Sequence, residues 1–149
     1  MRASILCNDS TSVDGKEIGD PTEVALVNLA HKYSLVEGEV RNAYKRLKEI
    51  PFDSDRKLMS TLHKIDNKYI LYTKGALDVL LERTTHIKTS NEVRKINEED
   101  KKKILDNNRY LSENGLRVLA FAYKEIDSDR ELSLDDETNF TFLGLISMI

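Results

Sequence analysis

Two strand-like runs, 58–65 and 68–73, stand on either side of Asp66-Asn67. Asp and Asn are turn formers, and a pair of them between two such runs reads as a hairpin. That hairpin places neighbouring antiparallel strands in the middle of the chain and constrains the fold more than any other feature. Upstream, 48–52 leads as a strand into the polar turn Asp53-Ser54-Asp55. Downstream, Gly75 ends the second arm and 76–83 reads as a short helix. A longer helix starts after Asn97, a cap with Asp100 three residues on, and stops at Gly115. The runs 117–126 and 140–149 are the last strands, joined by an acidic loop over 127–137. Near the start, Asp20 can cap a helix, Pro21 suits its first turn, and Glu23 can complete a capping box. Leu26, Leu29, Ala30 and Tyr33 then repeat at helical spacing, giving one apolar stripe. A second helix is expected over 39–47, ahead of Pro51. Helices and hairpins in clusters, without strict alternation, predict an α+β fold: a twisted, mostly antiparallel sheet flanked by helices.

The 149 residues fit one domain, 1–149, long enough to bury a core without metal or disulfide. Charged residues make up 33% and the formal net charge is -3. A nucleic-acid-binding chain usually shows a basic surplus, so no nucleic-acid partner is expected. Lys101, Lys102 and Lys103 follow Glu98, Glu99 and Asp100, which reads as a solvated helix face. Cys7 is the single cysteine, which excludes an internal disulfide and suits a reducing compartment. His31, His63 and His86 lack ligand spacing, so no metal site is expected. No apolar run approaches the ~18 residues that cross a bilayer, and Arg2 leads straight into Asn8-Asp9-Ser10 rather than a signal peptide. No direct membrane contact is expected. The chain ends within the apolar run Phe142-Leu143-Gly144-Leu145-Ile146, which is expected of a segment excised from a longer protein.

Generic catalytic patterns are missing. There is no Gly-Lys-Ser/Thr phosphate loop, no Gly-x-Gly-x-x-Gly fingerprint and no Gly-x-Ser-x-Gly elbow. Asp53 and Asp55 sit in a turn, where turn chemistry accounts for them better than acid–base work. No catalytic residue is expected in this chain.

Four segments in fixed order carry more information. They are Gly19-Asp20-Pro21-Thr22-Glu23, then Pro51-Phe52-Asp53-Ser54-Asp55-Arg56-Lys57-Leu58-Met59-Ser60, then Tyr72-Thr73-Lys74-Gly75-Ala76, and finally Gly115-Leu116-Arg117-Val118-Leu119-Ala120. With Leu81-Glu82-Arg83 and the closing Phe-Leu-Gly-Leu run, they closely resemble the nucleotide-binding (N) domain of type II P-type cation-transporting ATPases, the calcium-pump-like branch. The resemblance runs from about Leu6 to Ile149.

The resemblance implies a division of work. Phe52 would stack on adenine, worth about 1–3 kcal/mol by analogy with bases on aromatics. Glu23 would approach the adenine amino group, while its other reading is the capping-box acid. Lys74 would line the pocket, ahead of a tight Gly75-Ala76 turn where Gly75 lets the ligand near the backbone. Lys57 and Arg117 would face the phosphates, and Met59 and Leu119 would pad the ring. Ser54 stands where muscle-type calcium pumps carry an arginine, so one phosphate contact is lost or Arg56 takes its place. Leu77 stands where proline is common.

The resemblance also implies what must come from elsewhere. The Asp-Lys-Thr-Gly-Thr motif with the phosphorylated aspartate is absent, as is the Gly-Asp-Gly-x-Asn-Asp segment that helps hold magnesium. The implied whole is a bacterial plasma-membrane pump with this module on its cytoplasmic side. There the module would bind ATP, as Mg-ATP, and work with phosphorylation and actuator domains. The alternative is an interaction module that keeps the fold and has lost the nucleotide, for which Ser54 is the one supporting feature.

Overall fold

A computed structural model describes residues 2–13, 16–90 and 92–148. Its helices are α1 (Arg2–Leu6), α2 (Pro21–Lys32), α3 (Glu37–Ala43), α4 (Leu77–Glu82) and α5 (Glu98–Glu113). Its strands are β1 (Thr11–Val13), β2 (Lys16–Ile18), β3 (Arg46–Asp53), β4 (Leu58–Ile65), β5 (Lys68–Gly75), β6 (Thr84–Lys88), β7 (Val93–Lys95), β8 (Arg117–Ile126) and β9 (Phe140–Met148). β1 and β2 form a small hairpin, and the other strands form a seven-stranded sheet in the order β3-β4-β5-β8-β9-β6-β7. Every neighbouring pair in that sheet is antiparallel except β6 with β9, which is parallel. The expected α+β fold with a mostly antiparallel sheet is what the chain forms.

The central hairpin shows why its turn residues matter. Asp66 and Asn67 both take positive φ, 51° and 66°. That is the backbone of a type I′ turn, whose twist matches the strands it joins. Ile65 therefore pairs with Lys68, and the register runs without a break to Leu58 opposite Gly75. β8 adds to β5 by the same alternation, with Thr73 opposite Ala122. α5 starts as expected: Asn97 and Asp100 close a reciprocal capping box. It ends before Gly115, whose φ of 77° stops the helix at the place where glycine is the cheapest residue.

Side-chain alternation splits the core into two layers. Leu58, Leu62, Leu71, Ala120 and Ala122 face α4 and α5, where they pack with Leu80, Leu81, Ile104 and Phe140. Met59, Tyr72 and Phe121 face the other way and pack against Ala3, Leu6 and Leu26 of α1 and α2. Each fully buried Leu or Phe side chain contributes about 1.5–3 kcal/mol relative to exposure.

Several expectations need correction. The helix expected over 39–47 is α3, which ends at Ala43, and Arg46 and Leu47 belong to β3. Pairing of Arg46 with His63 on β4 outweighs the weak intrinsic preference of a short helix. The stripe on α2 is Val24, Leu26, Val27 and Ala30; Leu29 is half-buried and Tyr33 is 66% exposed. Tyr33 is the C-cap, so it has already left the helical face. Asp20 caps α2 by accepting from the Thr22 N–H, but Glu23 does not close a capping box because its carboxylate is used elsewhere. The strand expected over 140–149 is β9; Ile149 lies outside the described residues. α1, β1, β2, β6 and β7 were not expected. All are 3 to 5 residues long, too short for periodicity to reveal.

Candidate functional site

One end of the sheet face that meets α2 collects most of the candidate residues. Met59 on β4 is opposite Lys74 on β5, and Lys74 is opposite Phe121 on β8, so all three side chains share that face. Leu119, two residues before Phe121, is on the same face, as is Arg117 at the start of β8. The first turn of α2 brings Glu23 over them. Lys74 Nζ donates to Glu23 Oε1 at 2.8 Å, and Lys74 is only 6% exposed. Glu23 Oε2 accepts from the Asp9 N–H at 2.7 Å and from the Ser10 hydroxyl at 3.4 Å. Arg117 donates to the Thr22 hydroxyl, one residue before Glu23.

Phe52 approaches from the sheet's edge strand, β3. The β3–β4 register shifts between Ile50 and Asp53, so Pro51 and Phe52 occupy a bulge. A bulge re-aims side chains, and Pro51 has no N–H to leave unpaired on an edge. The result is a phenyl ring 59% exposed. Such an exposed aromatic carries a cost in water that a stacked ligand would relieve.

The turn after Phe52 is tightly built. Asp53 Oδ1 accepts from the N–H groups of Asp55 (2.7 Å) and Arg56 (3.2 Å), and these bonds hold its carboxyl below the usual range. Lys57 takes φ of 64° and donates its N–H to the Asp53 carbonyl at 2.6 Å. Its side chain is exposed. The Lys57 carbonyl in turn accepts from the Ala76 N–H at 3.2 Å, which fastens the turn to the end of β5.

That contact explains Gly75 without a ligand. A Cβ on Gly75 would lie 2.2 Å from the Lys57 carbonyl oxygen and 2.8 Å from a methyl of Leu58. Glycine is demanded by the backbone of the neighbouring turn. Arg56 does not stand with Lys57: its guanidinium lies against Glu137, Pro51 and Leu58. Ser54 is exposed in the turn.

Charge at this end is lopsided. Lys74 is matched by Glu23, whereas Lys57 and Arg117 are exposed cations without a carboxylate partner among the described ion pairs. An anionic group placed between them would meet two flexible positive arms beside an exposed aromatic. A cavity of about 930 Å³ opens at the opposite end of the same face beside Tyr44, Tyr72 and Tyr123, and none of the candidate residues lines it.

Comparison with known sequences shows the family. Residues 1–149 match the family model described as P-type ATPase, cytoplasmic domain N. The chain belongs to the cytoplasmic N domain family of P-type ATPases. This N domain is 43% identical over 151 residues to a calcium-transporting ATPase of Listeria monocytogenes, covering 100% of this chain and 17% of the relative. It is 41% identical over 146 residues to calcium-transporting ATPase 1 of Bacillus cereus, covering 97% of this chain and 16% of that protein. It is also 35% identical over 150 residues to calcium-transporting ATPase 1 of Saccharomyces cerevisiae, covering 96% and 16%. The chain thus spans about one-sixth of the length of these relatives.

Among the described residues of the N domain, no helix is long and apolar enough to cross a membrane. No group of three or more His, Cys, Asp or Glu side chains among them is gathered to hold a metal ion. Sequence reasoning missed the residues that seat Glu23. Asn8 donates to the Glu23 carbonyl at 2.9 Å, and Arg46 ties the same loop down through Asp9 Oδ1 at 2.6 Å and the Asn8 carbonyl at 3.0 Å. The polar triplet Asn8-Asp9-Ser10 after an apolar run was the available signal.

Proposed function

We propose that this chain is the ATP-binding module of a P-type cation-transporting pump, with calcium as the transported ion. The observation that carries the reading is the exposed Phe52 ring on a bulged edge, beside a sheet end where Glu23, Lys74 and Arg117 converge. Adenine stacks on Phe52, with Met59 and Leu119 beneath the pocket and Glu23 offering a carboxylate to the exocyclic amine. Lys57 and Arg117 meet the phosphates, and Lys74, Gly75 and Ala76 form the pocket wall. Arg56 serves the same pocket through the turn that carries Phe52.

The module's part in the pump is positioning. It holds ATP so that the γ-phosphate reaches an aspartate in a phosphorylation domain that this sequence does not contain. Magnesium and that domain would supply the charge stabilisation, and the actuator domain would be the further partner. Hinge closure brings the groups together. The module stands on the cytoplasmic side of a bacterial plasma membrane. The sequence 1–149 acts as one domain that binds ATP without hydrolysing it. One stack and a few exposed hydrogen bonds correspond to a Kd of roughly 0.1–1 mM.

Titration of the chain with ATP, ADP, AMP and GTP, followed by backbone-amide NMR, tests the reading. Saturable, adenine-selective shifts are expected around Glu23, Phe52, Lys74 and Arg117. A folded sample that shows no shift at several millimolar ATP would make the chain a docking module that has lost its nucleotide.

A further inference from the structure

Behind the turn that carries Phe52, a largely buried polar cluster borders a cavity of about 660 Å³, and the nucleotide reading gives Glu137 no role there. Glu137 precedes β9 and is 1% exposed. Its Oε2 accepts from the Ser60 hydroxyl, which also lies 2.6 Å from Thr73 Oγ1. Its Oε1 is 2.6 Å from Arg56 Nε. Arg56 Nη2 donates to the carbonyls of Pro51 at 3.0 Å and Leu58 at 2.6 Å. Arg83 donates to the Glu137 carbonyl at 3.2 Å, which anchors the loop over 134–138 to the end of α4.

A buried ion pair costs desolvation that its attraction seldom exceeds, so its presence calls for a geometric reason. Pro51 and Leu58 are the two ends of the segment 51–58, and one guanidinium nitrogen joins them. Between them stand Phe52 and Lys57. Ser60 is adjacent to Met59 on β4, so the Glu137 cluster lies on the opposite sheet face from Glu23 and Lys74. The turn is therefore held from behind while its front stays open.

We propose that Glu137 is a positioning residue for the nucleotide pocket. Through Arg56 it locks the segment 51–58 so that Phe52 and Lys57 stand where the ligand needs them. The proposal rests on the module reading above and adds a residue on the far side of the sheet that touches no nucleotide.

The test uses the 149-residue chain and its Glu137→Gln and Arg56→Lys variants. AMP and ATP affinities and the amide exchange of Asp55, Arg56 and Lys57 without nucleotide are measured in each. Glu137→Gln is expected to weaken AMP and ATP by the same factor, roughly tenfold, and to speed exchange across the turn by a similar factor. Phe52→Ala should then cost less in the Glu137→Gln background than in the parent, because the ring is already misplaced. Arg56→Lys keeps the Glu137 charge paired but cannot span both carbonyls, so it answers the question even if Glu137→Gln fails to fold.

A loss that is absent with AMP and grows with phosphate number would mean that Arg56 touches phosphate directly, and the brace falls. A folded variant with parental affinity and parental turn exchange sinks the role of Glu137 alone. A parent that binds no nucleotide removes the module reading and the pocket with it.

Discussion

Met59 and Ser60 are neighbours on β4, and they look onto different chemistry. Ser60 faces α4 and α5, where an apolar core surrounds a cluster of Ser60, Thr73, Glu137 and Arg56. Met59 faces α1 and α2, where Glu23 and Lys74 sit beside exposed cations and an exposed phenyl ring. The same strands thus serve a closed layer that sets stability and an open one that carries the candidate site. Most buried polar groups in both have hydrogen-bond partners, and Arg56 Nε and Glu137 Oε1, which lack one, face each other as an ion pair at 2.6 Å. The difference is where the partners stop. On the closed face Glu137 meets Arg56, and on the open face exposed Arg117 reaches only the Thr22 hydroxyl.

The comparison predicts that damage to the closed face is read as stability and damage to the open face as binding. Phe140 is completely buried on the closed face, so Phe140→Ala should cost about 3–5 kcal/mol in chemical denaturation. A loss below about 1 kcal/mol would show that this layer is loosely packed.

Acid should act through the part of the second face that is buried away from the candidate site, and there it too is read as stability. His63 lies there, with Nδ1–H donating to the Tyr44 carbonyl at 2.7 Å and Nε2 set against the Thr61 hydroxyl at 2.9 Å. Burial pushes its pKa down to about 4 from the ordinary 6.5. The folded state therefore refuses a proton that the unfolded chain accepts. Stability from this group is complete above pH 6.5 and falls between 6.5 and 4, by up to about 3 kcal/mol. Thermal melts across that range should show the decline, and His63→Asn should flatten it. An equal slope in both proteins would assign the acid sensitivity to carboxylates instead.

Gly75 joins the two layers at their shared edge. Gly75→Ala drives a methyl against the Lys57 carbonyl and should cost about 1–3 kcal/mol while also disturbing the turn beside Phe52. Unchanged stability would mean the turn shifts freely, which the Ala76-to-Lys57 hydrogen bond argues against.

Phe52→Ala sharpens the contrast most. It should leave unfolding free energy within about 0.5 kcal/mol of the parent, since the ring is exposed. Its ATP affinity should fall by about 1–3 kcal/mol, measured by the same amide titration. Equal affinity in both proteins would remove Phe52 from the pocket.

Legibility followed the range of the interaction responsible. Asp66-Asn67, the Asn97–Asp100 cap and the strand run over 117–126 are local devices, and each appears where it was expected. The segments bearing Glu23, Phe52, Lys74 and Arg117 could be named from motif order, and folding brings Glu23, Lys74 and Arg117 to one end of one face. Gly75 was assigned to ligand access, yet its nearest constraint is the carbonyl of Lys57 on another strand's turn. Arg56 was offered to the phosphates, yet it pairs with Glu137, 81 positions away (137 − 56). Neither could be seen in one dimension, because a side chain's direction at a turn depends on what is folded against it.

Residue chemistry alone settled the central turn, the Asp20 and Asn97 caps and the antiparallel bias, since each depends on neighbours within a few positions, while the family came from the resemblance of the ordered motifs. Tertiary structure decided the parallel pairing of β6 with β9, the early end of α3 and the face on which each charged side chain finds its partner. Those outcomes balance desolvation against pairing between groups far apart in sequence, and that balance exists only once the sheet has formed.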